Sequence, residues 1–199
     1  MAKIHSLKIS NFRGIKNFEE VFGFNNLICI TGKGGSGKTT ILNAIYILLS
    51  SDADIKFKVS DFYKEETSCP IEIEAVLCEL PVEITQSGNH SPVLTLKLIV
   101  KEDLKPHWFI IKEGKSIKLN TEEKKHLQTK YLIPTYEQLA ASQYTAGLSL
   151  IDDIEIYLKP DEIQNTLISL STQTKGHVII TTKSKDIIDR IKKEIIYII

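Results

Sequence analysis

The sequence has few cysteines, no excess charge of either sign and no long apolar run. Its three cysteines lack the spacing of a metal site, so we expect free thiols in a reducing compartment rather than a disulfide framework. The 25 lysines and arginines balance 25 aspartates and glutamates, which gives no support to a general nucleic-acid binder. No apolar run reaches the roughly 18 residues of a membrane helix. The first five residues also lack an apolar leader, so we expect a cytoplasmic protein with no membrane partner.

The remaining composition is that of an ordinary globular domain. Hydrophobic residues make up 42% and charged residues 25% of the 199 positions, enough for one α/β domain. Local basic clusters could contact DNA, although most such clusters are solvated surface. They comprise Lys118, Lys124, Lys125 and Lys130, and then Lys183, Lys185, Arg190, Lys192 and Lys193.

The most informative segment is a glycine-rich loop between an apolar strand, Asn26–Ile30, and an apolar helix, Thr40–Leu49. The loop matches the P-loop pattern G-x-x-x-x-G-K-[ST]. A strand, a glycine turn and a helix in this order aim backbone N–H groups and the helix dipole at an anion. The alternative is a chance glycine-rich turn. We expect the loop to bind a nucleoside triphosphate through Gly32, Lys33, Gly34, Gly35, Ser36, Gly37, Lys38, Thr39 and Thr40.

Two side chains of this loop have predicted chemical roles. Lys38 can reach the β- and γ-phosphates and assist catalysis, and the Thr39 hydroxyl can complete the shell of a Mg²⁺ ion.

A second element of the site is the apolar strand Leu148–Ile151, which is followed by Asp152 and Asp153. A carboxylate at the carboxyl end of a buried parallel strand lies where ligands bind in open α/β sheets. We expect Asp152 to hold Mg²⁺ and Asp153 to orient or deprotonate the attacking water. The alternative is a pair of aspartates in an ordinary turn.

The order of apolar runs predicts one α/β domain over residues 1–199. Strands are predicted at Lys3–Ile9 and Phe18–Phe22, and residues 71–120 are predicted to form a small antiparallel β-subdomain inserted into the domain. From Thr121 onward helices and strands alternate, which indicates a largely parallel sheet with helices on its faces. The predicted strands there are Tyr131–Ile133, Leu148–Ile151, Val178–Thr182 and Ile195–Ile199, and the helices are Thr121–Thr129, Tyr136–Ser142, Pro160–Leu170 and Lys185–Lys193.

With these motifs the chain resembles ABC-class ATPases of the SMC, RecF and OLD (overcoming-lysogenization-defect) groups. Residues 7–15 resemble their N-terminal strand, residues 150–160 their Walker B motif and D-loop (usually I-D-E-P-E-x-x-L-H-P), and residues 178–185 their switch strand (usually ending T-H-S-P). The resemblance implies a P-loop NTPase fold with a mixed sheet flanked by helices. It also implies that Arg13 lies near the nucleotide and that Gln86 is a candidate Q-loop residue. The segment Asp61-Phe-Tyr63 fits the OLD group best.

Departures from that family pattern predict weak catalysis. Asp153 replaces a catalytic glutamate that is one methylene longer, and Lys183 replaces a histidine that contacts the γ-phosphate in the family. Lysine can pair with a phosphate but cannot relay a proton at neutral pH. The Ser-Gly-rich signature turn of family members has no match in this sequence, so we expect no standard ATP sandwich between two copies. We also expect neither the coiled-coil arms nor the nuclease domain of family members.

The sequence therefore predicts a slow, Mg²⁺-dependent ATPase that acts as a nucleotide-dependent switch in a DNA-repair or phage-defence assembly. Its partner would be an effector or nuclease subunit, or a second copy of the chain. The alternative is a non-hydrolysing, ATP-bound scaffold that docks a protein or DNA. Lys33 also matches the P-loop of ParA/MinD-type ATPases, K-G-G-x-G-K-[ST], whose first lysine reaches the partner's phosphates. A P-loop kinase is disfavoured because no lid arginine cluster is present.

Overall fold

The structure, a computed structural model, describes residues 3–50, 55–78, 93–131, 148–157, 162, 165–168, 177–191 and 196–199. Within these ranges ten strands form two sheets, and three α-helices have both ends described. In chain order they are β1 (Lys3–Phe12), β2 (Ile15–Val21), β3 (Leu27–Thr31), α1 (Lys38–Leu49), β4 (Ile71–Cys78), β5 (Leu94–Val100), β6 (Pro106–Lys112), β7 (Lys115–Lys118), α2 (Thr121–Tyr131), β8 (Leu148–Ile151), β9 (His177–Thr182), α3 (Lys185–Ile188) and β10 (Ile196–Ile198).

The first sheet is antiparallel, with six strands in the order β2-β1-β4-β5-β6-β7. Its central strands alternate buried and half-buried residues, as expected of a sheet with one face on the core. Strands β4 to β7 of the middle block continue the sheet that β1 and β2 begin. β4 pairs with β1 along its length, for example Ile73 with Ile9, because both strands present apolar residues to the same core.

The second sheet is parallel, with four strands in the order β10-β3-β9-β8. Every residue of β3 and β9 is buried, which is usual where both faces of a parallel sheet are covered. Helix α1 lies between the two sheets, where Ile41, Leu42 and Ile45 share a core with apolar residues of both. Apolar residues of the chain after β8, including Ile154 and Ile187, cover the other face.

The predicted fold class, a P-loop NTPase with ABC-like sheets and flanking helices, is confirmed. The strand predicted to begin at Tyr131 is wrong at that residue, because α2 continues through it. Asn120 and Glu123 start α2 with a reciprocal capping box, at 2.8 Å and 2.9 Å. Helix α3 ends at Ile188, before the predicted end, because the next turn tightens into i→i−3 hydrogen bonds such as that from Arg190 N to the Ile187 carbonyl.

Some predictions fall outside the described residues. They are Gln86, helix Tyr136–Ser142, residues 132–133 and most of helix Pro160–Leu170, of which residues 162 and 165–168 are helical. Among the helices that the structure describes, none has the length and apolar character needed to cross a membrane.

Candidate nucleotide-binding site

The glycine-rich loop joins β3 to α1 in the way the sequence predicts. Gly37 precedes the helix with φ of 102°, in the left-handed region that glycine adopts without steric cost. Gly32 is required by a close approach, because a Cβ there would lie 2.3 Å from the Ile199 carbonyl oxygen and 2.7 Å from Ser36 Oγ. The loop is therefore closed tightly against the end of β10.

Lys38 lies inside this loop although it is a charged residue. Only 7% of its surface is exposed, and its Nζ donates hydrogen bonds to the carbonyl oxygens of Gly32 and Lys33, each at 3.0 Å. The neighbouring Lys33 is exposed, and its carbonyl also accepts a bond from Ser36 N at 3.1 Å. The two lysines of the loop thus differ: the loop backbone holds the ammonium of Lys38, while that of Lys33 faces solvent.

The loop also has the features of a phosphate cradle. The Ser36 hydroxyl is buried and has no hydrogen-bond partner among the described residues, although a buried polar group normally has one. A Cβ built on Gly34 or Gly35 would meet nothing within 4 Å, so the loop backbone there is open. A phosphate oxygen could accept the Ser36 proton, so these residues fit a nucleotide.

Thr39 and Asp152 meet although 113 residues separate them. Thr39 Oγ1 donates a hydrogen bond of 2.7 Å to Asp152 Oδ2. The contact forms because β3 and β8 are parallel members of one sheet, with β9 between them, so their carboxyl ends lie at one edge. Within the described residues no group of three or more histidine, cysteine, aspartate or glutamate side chains is arranged to hold a metal ion by itself. A hydroxyl and a single carboxylate, completed by phosphate oxygens and water, are a donor set that suits Mg²⁺.

Asp153 directly follows and has an unusual backbone conformation. Its φ and ψ are 45° and 63°, a left-handed conformation that is uncommon for residues other than glycine. Asp153 Oδ2 lies 3.7 Å from Lys183 Nζ, so the structure brings together two of the three residues predicted to serve catalysis, the third being Lys38. The lysine side chain is 63% exposed, so the ion pair is solvent-screened.

Two residues that were not predicted from the sequence, Thr181 and Glu155, lie near the carboxyl ends of β9 and β8. The Thr181 hydroxyl donates to Asp152 Oδ1 and accepts a hydrogen bond from Asp153 N at 2.8 Å. Glu155 accepts bonds from Thr182 Oγ1 at 2.8 Å and from Lys183 N at 3.1 Å. The available signal was a pair of threonines at the end of an apolar strand and a glutamate just after the aspartate pair.

Arg13, predicted to lie near the nucleotide, contacts a different part of the chain. Its Nε pairs with Asp61 Oδ1 at 2.9 Å, its N–H donates to the Asp61 carbonyl at 2.7 Å, and its guanidinium lies 4.9 Å from the Phe12 ring centre. The same hairpin does approach the loop through Ile15, whose Cγ1 would lie 3.3 Å from a Cβ on Gly37. A contact between Arg13 and nucleotide stays a prediction.

A thiol lies beneath the site, in β3. Burial, and then the charge of Glu155, raise the pKa of Cys29 to about 12. The thiol is therefore protonated at neutral pH and unsuited to act as a nucleophile.

Comparisons with known proteins show the family and the fold of the chain. Residues 2–141 match a family described as the AAA ATPase domain. The chain is 35% identical over 91 residues to the DNA replication and repair protein RecF of Rickettsia prowazekii, covering 43% of this chain and 25% of the relative. It is 28% identical over 111 residues to an ATP/GTP phosphatase of Helicobacter pylori, covering 51% and 30%. The chain thus spans less than a third of either curated relative.

Among solved structures, the chain is similar to an SMC head bound to the C-winged helix domain of ScpA. The TM-score is 0.66 over 94% of this chain and 92% of that one, at 12% sequence identity. At this identity the similarity concerns the fold alone.

Proposed function

The chain belongs to the AAA ATPase domain family, with the fold of the RecF/SMC-like, ABC-class P-loop ATPases, and from this premise we propose that it binds ATP with Mg²⁺ and hydrolyses it slowly. The observation that carries the proposal is the 2.7 Å hydrogen bond between Thr39 and Asp152. It unites the two motifs that a Mg²⁺–nucleotide site requires, at the edge of the sheet where such ligands bind. The family and the fold favour this function over a ParA/MinD-type ATPase or a kinase.

Each residue of the site has a proposed role. The backbone N–H groups from Gly34 to Thr39 and the Ser36 hydroxyl would hold the phosphates, and Lys38 would place its charge beside the β- and γ-oxygens. Thr39 and Asp152 would hold Mg²⁺, which when bound neutralises negative charge on the phosphates. Asp153 would orient the attacking water or accept its proton.

The geometry around Asp153 supports slow hydrolysis. Its side chain is one methylene shorter than that of the glutamate in related ATPases. Its Oδ2 lies 3.7 Å from Lys183 Nζ. A general base must lie within hydrogen-bond distance of its water, and the shorter side chain holds the carboxylate of Asp153 further back. The same observation favours a second candidate function, an ATP-bound scaffold that does not hydrolyse its nucleotide.

The biological setting is also a proposal. A relative is named for DNA replication and repair, and the similar SMC head is bound to a winged-helix domain of another protein. We propose that this protein acts as a nucleotide-dependent switch in a DNA-repair or phage-defence assembly in the cytoplasm. Its partner would be an effector or nuclease subunit, or a second copy in which Lys33 or Lys183 reaches the neighbouring phosphates.

Steady-state ATP turnover with and without DNA tests this proposal. We expect a turnover number well below the enzyme median of about 10 s⁻¹, dependent on Mg²⁺. Replacing Asp153 by glutamate should raise it, because the longer side chain advances the carboxylate by roughly one bond length. Turnover at or above the median would contradict the proposal that Asp153 and Lys183, in place of the family's glutamate and histidine, slow hydrolysis. Binding without turnover, in wild type and in Asp153→Glu alike, would favour the scaffold.

A further inference from the structure

Thr181 makes two hydrogen bonds whose directions are fixed by chemistry. It is the penultimate residue of β9 and is fully buried. The Asp153 N–H can only donate, so at 2.8 Å the Thr181 oxygen must accept. The Thr181 hydroxyl keeps its single proton for its other bond, which it donates to Asp152 Oδ1. The Thr181 hydroxyl therefore links the two aspartates: it accepts a hydrogen bond from the backbone of Asp153 and donates one to the side chain of Asp152.

The bond to Asp152 determines how that carboxylate is turned. With Oδ1 held by Thr181, Oδ2 faces Thr39 at 2.7 Å. Loss of the Thr181 hydroxyl would leave the carboxylate held by Thr39 alone, so it could turn further about its last side-chain bond, a torsion with a broad energy profile. Outer hydrogen-bond partners that orient a ligand in this way commonly affect metal affinity tenfold or more.

The bond to Asp153 acts on the backbone instead. The N–H of Asp153 is tied to β9 at the residue whose φ of 45° is uncommon for an aspartate. In this conformation the Asp153 carboxylate lies 3.7 Å from the ammonium of Lys183. Removal of the bond would release the segment toward ordinary backbone angles.

We infer that Thr181 is a positioning residue that orients Asp152 for Mg²⁺ and fixes the backbone of Asp153. The inference rests on the proposed function for the identity of the ligand, but the contacts exist in the protein alone. The neighbouring Thr182 offers a matched control: it is also fully buried in β9, but its hydroxyl donates to Glu155 and to neither aspartate.

The test compares Thr181→Val, Thr181→Ser and Thr182→Val by two measurements. The first is the Mg²⁺ concentration that half-saturates tight binding of a non-hydrolysable ATP analogue, measured by calorimetry. Thr181→Val should raise it about tenfold, whereas Thr181→Ser, which keeps the hydroxyl, and Thr182→Val should stay within about twofold of wild type. An unchanged value in Thr181→Val, or an equal rise in Thr182→Val, would overturn the inference.

The second measurement is hydrogen exchange of the Asp153 amide in the nucleotide-free protein. It should accelerate about tenfold or more in Thr181→Val and remain slow in the two other variants, because only the first loses the acceptor. If Thr181→Val does not fold, Thr181→Cys is used with the same expectations, since a thiol is a weak donor and acceptor. Failure of wild type to bind nucleotide would refute the proposed function, whereas unchanged amide exchange would refute the role of Thr181.

Discussion

The two sheets of the molecule differ in where their polar side chains lie. Strands β4 and β5 of the antiparallel sheet alternate buried and half-buried residues, and polar pairs such as Lys97 with Glu72, at 2.8 Å, lie along the middle of its open face. Strands β3 and β9 of the parallel sheet are buried throughout. Both faces of those strands are packed against apolar residues, so their polar side chains are found at the strand ends.

This difference explains how the site is assembled. The carboxyl ends of β3, β9 and β8 are adjacent, so the P-loop, Thr181 and Asp152 meet without any of them being close in sequence. The antiparallel sheet contributes shape and support rather than reactive groups. Ile15 packs near Gly37, and the Ile4 N–H donates to His177 Nδ1 of β9 at 3.0 Å, which ties the two sheets together.

The largest effect should come from removing the buried charge at the edge of the parallel sheet. Lys38→Ala should abolish ATP binding, because the phosphates would lose their cationic partner inside the loop. Lys33→Ala removes an equal charge from the same loop at an exposed position, and it should retain most of the affinity. Calorimetry on both variants gives the comparison, and unchanged affinity in Lys38→Ala would refute the nucleotide site.

A smaller effect is expected from the close approach of the loop to β10. Gly32→Ala would place its Cβ 2.3 Å from the backbone oxygen of Ile199, so β10 must shift. We expect a loss of about 1–3 kcal/mol in the free energy of unfolding, as for other overpacked sites. Gly34→Ala, whose Cβ meets nothing within 4 Å, should change it by less than about 0.5 kcal/mol. Urea unfolding of both variants without nucleotide measures the difference, and equal stability would contradict the described packing.

The smallest effect concerns the hydrogen bond that joins the sheets. Burial, and then the charge of Lys3, lower the pKa of His177 to about 3, from 6.5 in the unfolded chain. Below pH 6.5 the unfolded state takes up a proton that the folded state refuses, so stability falls as the pH falls toward 3. The contribution is about 1 kcal/mol between about pH 6 and pH 5.

The control for His177 is a variant that keeps an acceptor but cannot titrate. His177→Asn should lose less stability over this pH interval than wild type, whatever its stability at neutral pH. Chemical unfolding at the two pH values measures both slopes. Equal slopes would show that His177 does not titrate as its burial implies.

Much of this arrangement could be predicted because the informative signals were local. The P-loop has a fixed spacing, and the strand Leu148–Ile151 was predicted with the bounds that the structure gives it. The positions of Lys38 and Asp152 followed from those two motifs together with the parallel order of the strands.

The remaining features depend on pairing between distant segments. The junction of β1 with β4 unites residues about 70 positions apart, and nothing local distinguishes it from a separate β-subdomain. Arg13 looked available for a ligand because its partner, Asp61, lies in a distant turn. Thr181 has an ordinary strand neighbourhood in sequence, and only the register of β8 against β9 brings its hydroxyl to the aspartates.

The central claim is that Thr39 and Asp152 belong to one Mg²⁺–nucleotide site. A double-mutant cycle with Thr39→Val and Asp152→Asn, read as affinity for a non-hydrolysable ATP analogue at saturating Mg²⁺, tests it most directly. Residues that share a ligand and a hydrogen bond should not contribute additively, so we predict a coupling free energy of about 1 kcal/mol or more. In the absence of Mg²⁺ the coupling should shrink. Additive losses at saturating Mg²⁺, or no loss from either single variant, would contradict the claim.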